Sequence, residues 1–169
     1  GLGLPLLVWS DLGETARTVG RPLGAQFREY PELLASPRFW GYALAAAFAS
    51  GCFFAFLGGA PWVGEHVFGL GPREVGLSLG LPALGYSFGN FLSARLSARL
   101  GTGRMVLAGS LVTTAGLAAG VLLTAGPGGP WAFYGVMPVM TAGNGMVMPN
   151  AIAGAMSVRP HLAGTAAGL

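Results

Sequence analysis

Three asparagines are the side chains of this sequence most able to recognise a ligand. Asn90, Asn144 and Asn150 all lie in stretches that contain no Asp, Glu, Lys or Arg. An amide in apolar surroundings must find partners, so it either bonds a neighbouring helix or faces a watery cavity. Asn144 is flanked by Gly143 and Gly145, so adjacent side chains offer little bulk to shield it. Met140 and Thr141 one helical turn back, and Met148 four residues on, would share its wall. The expectation is that Asn144 contacts substrate, the other reading being an interhelical bond; Asn90 and Asn150 are expected to act structurally. Phe53 and Phe56, from a run that also holds Phe48, Phe54 and Trp62, would supply an adaptable apolar wall together with Met140 and Met148. The candidate substrate-binding set is therefore Phe53, Phe56, Met140, Asn144 and Met148.

The inventory for enzymatic chemistry is poor. Asp11 is the only aspartate, and no H-E-x-x-H, Walker loop or Ser/His/acid set occurs. Cys52 stands alone within an apolar stretch, which excludes a disulfide framework and a cysteine-based metal site. No catalytic residue, metal site or cofactor is expected. Acids are also missing from the middle of every uncharged run, so a proton-coupled process would need its titrating group elsewhere.

The elements that must hold these residues follow from where the charges fall. Phe39–Gly64, Val75–Ala94 and Met105–Val158 are uncharged runs of 26, 20 and 54 residues. As helices they would reach roughly 39, 30 and 81 Å, against a bilayer core of about 30 Å. The third run must cross twice, turning at Gly126-Pro127-Gly128-Gly129-Pro130. The sequence thus predicts an all-α integral membrane protein with transmembrane helices at 39–62, 75–94, 105–125 and 131–156. Residues 1–9 read as the end of a preceding transmembrane helix, 10–38 as a polar central linker, and 162–169 as the start of a further helix. Ser36-Pro37 supplies a helix start. Small residues recur at packing intervals in Gly76/Gly80, Gly85/Gly89, Gly116/Gly120 and Ala151/Ala155. Pro82, Pro138 and Pro149 are expected to kink their helices. The composition agrees, with 53% hydrophobic and only 9% charged residues and a mean hydropathy of +0.61.

All nine basic residues are Arg. Eight of them fall in 10–38, 95–104 and 157–161, and Arg73 alone falls in the intervening loops. Positive residues near span ends set orientation, so the first three segments are expected in the cytoplasm. This asymmetry accounts for a sequence pI near 9.6 without a nucleic-acid partner. Arg95, Arg99 and Arg104, with Gly101 between them, are expected to fix orientation or take part in gating, and Pro149 to shape its helix.

In this order the motifs resemble the major facilitator superfamily, and within it the Bcr/CflA-type drug:proton antiporters. Gly89 to Arg104 looks like the second-half copy of the family's G-x-x-x-D-R-x-G-R-R loop. Arg99, Gly101 and Arg104 match the basic part, and Ala98 stands where the first-half copy has Asp. Gly143-Asn144-Gly145, Pro149-Asn150-Ala151 and Ala163-Gly164-Thr165-Ala166 are similar to the G-N-G…P-N-A…A-G-T-A-S pattern. Phe54–Pro61 and Phe68-Gly69-Leu70 look like F-x-Y-x-x-x-S-P…Y-G-L, with Phe56 for Tyr and Ala60 for Ser. The resemblance implies the C-terminal half of a multi-pass transporter in a bacterial inner membrane. Its function would be export of small hydrophobic or amphiphilic molecules, including drugs, in exchange for protons. Its partners would be substrate, protons, membrane lipid and the N-terminal half of the same chain. A transporter of sugars or other metabolites, or a non-transporting scaffold, stays open as an alternative.

Overall fold

A computed structural model describes residues 30–126, 128–162 and 166, and its elements are all helical. The readings made for 1–9, for 10–29 of the linker, and for 163–165 and 167–169 lie outside the described residues. A helical turn at 30–34 leads into α1 (Pro37–His66), α2 (Pro72–Leu100), α3 (Thr102–Thr124), α4 (Pro130–Tyr134) and α5 (Met137–Val158), and a 3-10 turn, Pro160–Leu162, follows.

Two of these helices, α1 and α3, are long and apolar enough to cross a membrane. Only 11% and 28% of their most apolar stretches are buried, so their hydrophobic surface points away from the protein core. The core helix of a water-soluble bundle would bury that surface instead.

The helices outrun the uncharged stretches. The segment 95–104, read as a loop, is helical except at Gly101. Charge ends a stretch that lipid can solvate, but Ala, Leu and Arg are good helix formers and carry the helix beyond it. Gly101 joins α2 to α3 alone, at φ 82°, a conformation that a side chain at this position would strain. Its N–H donates to the Ser97 carbonyl at 2.9 Å, and its own carbonyl accepts from the Met105 N–H at 3.2 Å.

The helix expected over 131–156 is broken at Gly135–Val136, giving α4 and α5. Pro138, expected to kink a helix from inside, instead stands in the first turn of α5. There its missing N–H removes no bond, because first-turn donors have no partner within the helix. Among the described residues, Pro61, Pro82 and Pro149 lie inside the long helices. Pro37 opens α1 as the sequence suggests, but the Ser36 side chain makes no capping bond.

α5 is the central element, packing on α1, α2 and α3. Its seats are backbone on backbone. A Cβ added at Gly85 or Gly89 of α2 would overlap the Pro138 or Ala142 carbonyl, and one at Gly145 would overlap the Tyr86 carbonyl. On the other side, Gly109 and Gly116 of α3 lie against Gly143 and Met140. Gly76 and Gly80, by contrast, have open space where a Cβ would go and pack against nothing. Small residues replace the hydrophobic drive that lipid surroundings do not supply.

At the end where α1 begins, Leu33, Phe39, Ala155, Leu162 and Ala166 form one buried cluster. Arg159 pairs with Glu32 at 2.9 Å across the surface beside it. At the opposite end Phe56, Phe68, Phe133 and Tyr134 form a chain of ring contacts 5.0–6.3 Å apart. The buried Tyr134 hydroxyl donates to the Ala60 carbonyl at 2.6 Å, tying α4 to α1.

Candidate functional site

A cavity of about 330 Å³ lies between α1 and α2, with α5 closing one side. The aromatic wall comes from α1, where Phe53 and Phe56 stand on successive turns. α2 adds Pro82 and Tyr86, and α5 adds Asn144 and Met148. No charged side chain lines the cavity. It sits near the middle of α1 and α2, which is the depth of substrate sites formed between transmembrane helices.

Four of the five residues proposed from sequence meet here: Phe53, Phe56, Asn144 and Met148. Met140 is absent from the lining. It is fully buried, one turn away, among Phe56, Ala60, Tyr134 and Met137. It supports the wall behind Phe56 rather than meeting the cavity.

Asn144 borders the cavity but is only 2% exposed. Its Nδ2 donates to the Ala49 carbonyl of α1 at 2.9 Å. Its Oδ1 accepts from the Thr113 hydroxyl of α3 at 3.1 Å. One amide therefore clamps three helices, and both of its polar atoms are engaged. The flanking glycines, read from sequence as exposing it, instead admit α2 and α3 to close range.

The other sequence candidates lie on the elements around the cavity. Asn150 is 3% exposed, and its Nδ2 donates to the Ser93 hydroxyl at 2.7 Å and the Met146 carbonyl at 2.8 Å, joining α5 to α2. Asn90 donates to the Tyr86 carbonyl of its own helix at 3.1 Å. Pro149 lies in α5 with its ring exposed. Arg95 is stacked over the Phe91 ring at 4.9 Å, a cation–π contact on the surface of α2. Arg99 lies in the last turn of α2, where a cation suits the helix dipole; Arg104 lies in the first turn of α3, where it does not. Both are exposed.

Three polar residues in or beside the site, Thr113, Ser50 and Tyr86, escaped the sequence reading, which already puts Thr141 beside Asn144. Thr113 and Thr141 are buried, and Thr141 donates to the Pro82 carbonyl of α2 at 2.7 Å. Ser50 and Tyr86 line the cavity itself. Their signal is weak in sequence, because hydroxyl side chains are common in helices and only depth distinguishes these. Among the described residues, no group of three or more His, Cys, Asp or Glu is placed to hold a metal.

Comparison with known proteins agrees with this architecture. The family model described as Major Facilitator Superfamily matches residues 2–169. The chain is 28% identical over 176 residues to an "Uncharacterized MFS-type transporter YdgK" of Bacillus subtilis (strain 168). That alignment takes in 100% of this chain and 43% of the relative, so the chain spans less than half the length of the protein it matches. No solved structure matches it.

Proposed function

We propose a transport function from the premise that this chain belongs to the Major Facilitator Superfamily. The whole protein is a secondary transporter that exports small, apolar or amphiphilic molecules through the bundle, in the manner of the Bcr/CflA-type drug:proton antiporters. The observation that carries this reading is the cavity of about 330 Å³, walled by Phe53, Phe56, Pro82 and Met148 and free of charge. Such a pocket desolvates an apolar ligand at little cost and offers few fixed polar groups, which suits varied substrates. A sugar would leave most of its hydroxyls unpaired there, at a cost of about 1–3 kcal/mol each.

Proton coupling fits this reading if the titrating acid lies outside this chain's cavity, which contains none. The Arg-bearing turns at 95–104 and 157–161 would face the cytoplasm, and export would proceed by alternating access. Everted membrane vesicles containing the full-length protein test both parts. Adding a transported amphiphilic compound should release protons from the vesicles as drug is taken in. Drug uptake without proton movement refutes antiport, and absence of uptake for any apolar compound refutes export.

A further inference from the structure

Tyr86 is the midpoint of α2, fourteen residues from Pro72 and fourteen from Leu100. At about 1.5 Å per residue its Cα is roughly 21 Å from either end of the helix, beyond the reach of a snorkelling tyrosine. Tyr86 lines the cavity and is 38% exposed. Among the described residues, its hydroxyl makes no hydrogen bond; the Asn90 contact is to the Tyr86 backbone carbonyl. A phenol in an apolar cavity gains from an acceptor, because its aromatic and aliphatic surroundings offer nothing to bond. The other polar groups of the cavity are already committed. Asn144 is held by Ala49 and Thr113, and the Ser50 hydroxyl donates to the Met148 sulfur at 3.6 Å.

Resting on the transport reading above, we propose that Tyr86 is the specificity-determining contact of this cavity, donating its hydroxyl proton to an acceptor oxygen or nitrogen on the substrate. The preferred ligand is a neutral, flat aromatic molecule carrying one hydrogen-bond acceptor. The rings of Phe53, Phe56 and Tyr86 provide the stacking surface. With no charged group in the lining, a fully charged ligand would enter unpaired. The substrate's acceptor supplies the partner that no described residue gives this hydroxyl.

Fluorene and fluorenone serve as probes, since they share shape and differ by a methylene against a carbonyl. Both are titrated into the purified full-length protein, each corrected for its own detergent partitioning. Fluorenone should bind about fivefold more tightly than fluorene, the equivalent of one neutral hydrogen bond. Tyr86→Phe should remove that preference, bringing the two probes to equal affinity. The infrared carbonyl band of fluorenone bound to the unaltered protein should lie below its frequency in hydrocarbon, a readout that needs no variant. A band at the hydrocarbon frequency overturns the assignment, as does a Tyr86→Phe protein that keeps the preference. If neither probe binds, the cavity itself is refuted. If both behave as expected but vesicles show no uptake, the export reading fails and the Tyr86 assignment stands.

Discussion

Replacing Asn144 by Ala should loosen the bundle as a whole rather than alter which compounds it handles. The substitution deletes the bond to the Ala49 carbonyl and the bond from Thr113. Interhelical hydrogen bonds in membranes average about 0.6 kcal/mol and reach about 1.7. Two of them give an expected cost of about 1.2 kcal/mol on that average. Thr113 retains a second acceptor, the Met140 carbonyl at 3.2 Å, so its hydroxyl is not left unpaired and adds no further penalty. The coupling term can be isolated with Thr113→Val and the double variant, using reversible unfolding in detergent. The pair should couple by about 0.6 kcal/mol, and transport of every compound should fall together as stability falls. Zero coupling would refute the clamp. So would a normally stable Asn144→Ala protein that lost some substrates and kept others; that result would make the amide a substrate contact.

Three further outcomes follow from the packing. Gly89→Leu should drive α2 off the Ala142 carbonyl and cost at least about 1–3 kcal/mol in thermal or denaturant unfolding, while Gly80→Leu, in open space, should be tolerated. Gly101→Ala should cost about 1–3 kcal/mol by the same measurement, because the turn holds φ at 82° and ψ at 157°, a region essentially reserved for glycine. Tyr134→Phe should cost about 1 kcal/mol through loss of the bond to Ala60, detectable as a lower melting temperature with transport specificity intact.

The helices were legible because lipid solvation demands long uncharged runs, and those runs set most of the chain's pattern. Their ends were not. Nothing in Ala94-Arg95-Leu96-Ser97-Ala98-Arg99 marks the difference between leaving a membrane and leaving a helix, and the helix continues to Leu100. The break at Gly135–Val136 was hidden for the opposite reason. Neither residue changes the charge pattern, and Pro138 reads equally well as an internal kink or a first-turn proline.

At the site, residue type was informative and partnership was not. Asn144 is identifiable as an amide that must bond something, but its partner is a backbone carbonyl ninety-five positions earlier, and every residue has one. Phe53, Phe56 and Met148 were found by chemistry alone. Met140 was included because it lies one turn before Asn144; that same turn puts it against α3, where Gly116 admits it, and out of the cavity. Tyr86 was missed because its meaning comes from depth along α2 and from a missing partner, neither of which a residue type reveals.

The glycine seats divide the bundle mechanically. α2, α3 and α5 meet at backbone range through Gly85, Gly89, Gly109, Gly116, Gly143 and Gly145, with short side chains such as Thr113 and Thr141 packed beside the seats. Such joints leave little room, so displacing one of these helices alone would drive backbone into backbone. α1 is held otherwise. Gly41, Gly51, Gly58 and Gly59 face open space, and α1 meets α5 through adjustable groups such as Tyr42 on Gly154 and Ser50 on Met148. Displacing α1 would therefore break side-chain bonds, those from Asn144 to Ala49 and from Tyr134 to Ala60 among them, rather than a glycine seat. The cavity between α1 and α2 thus lies on the side of the bundle that is held by side chains rather than by glycine seats.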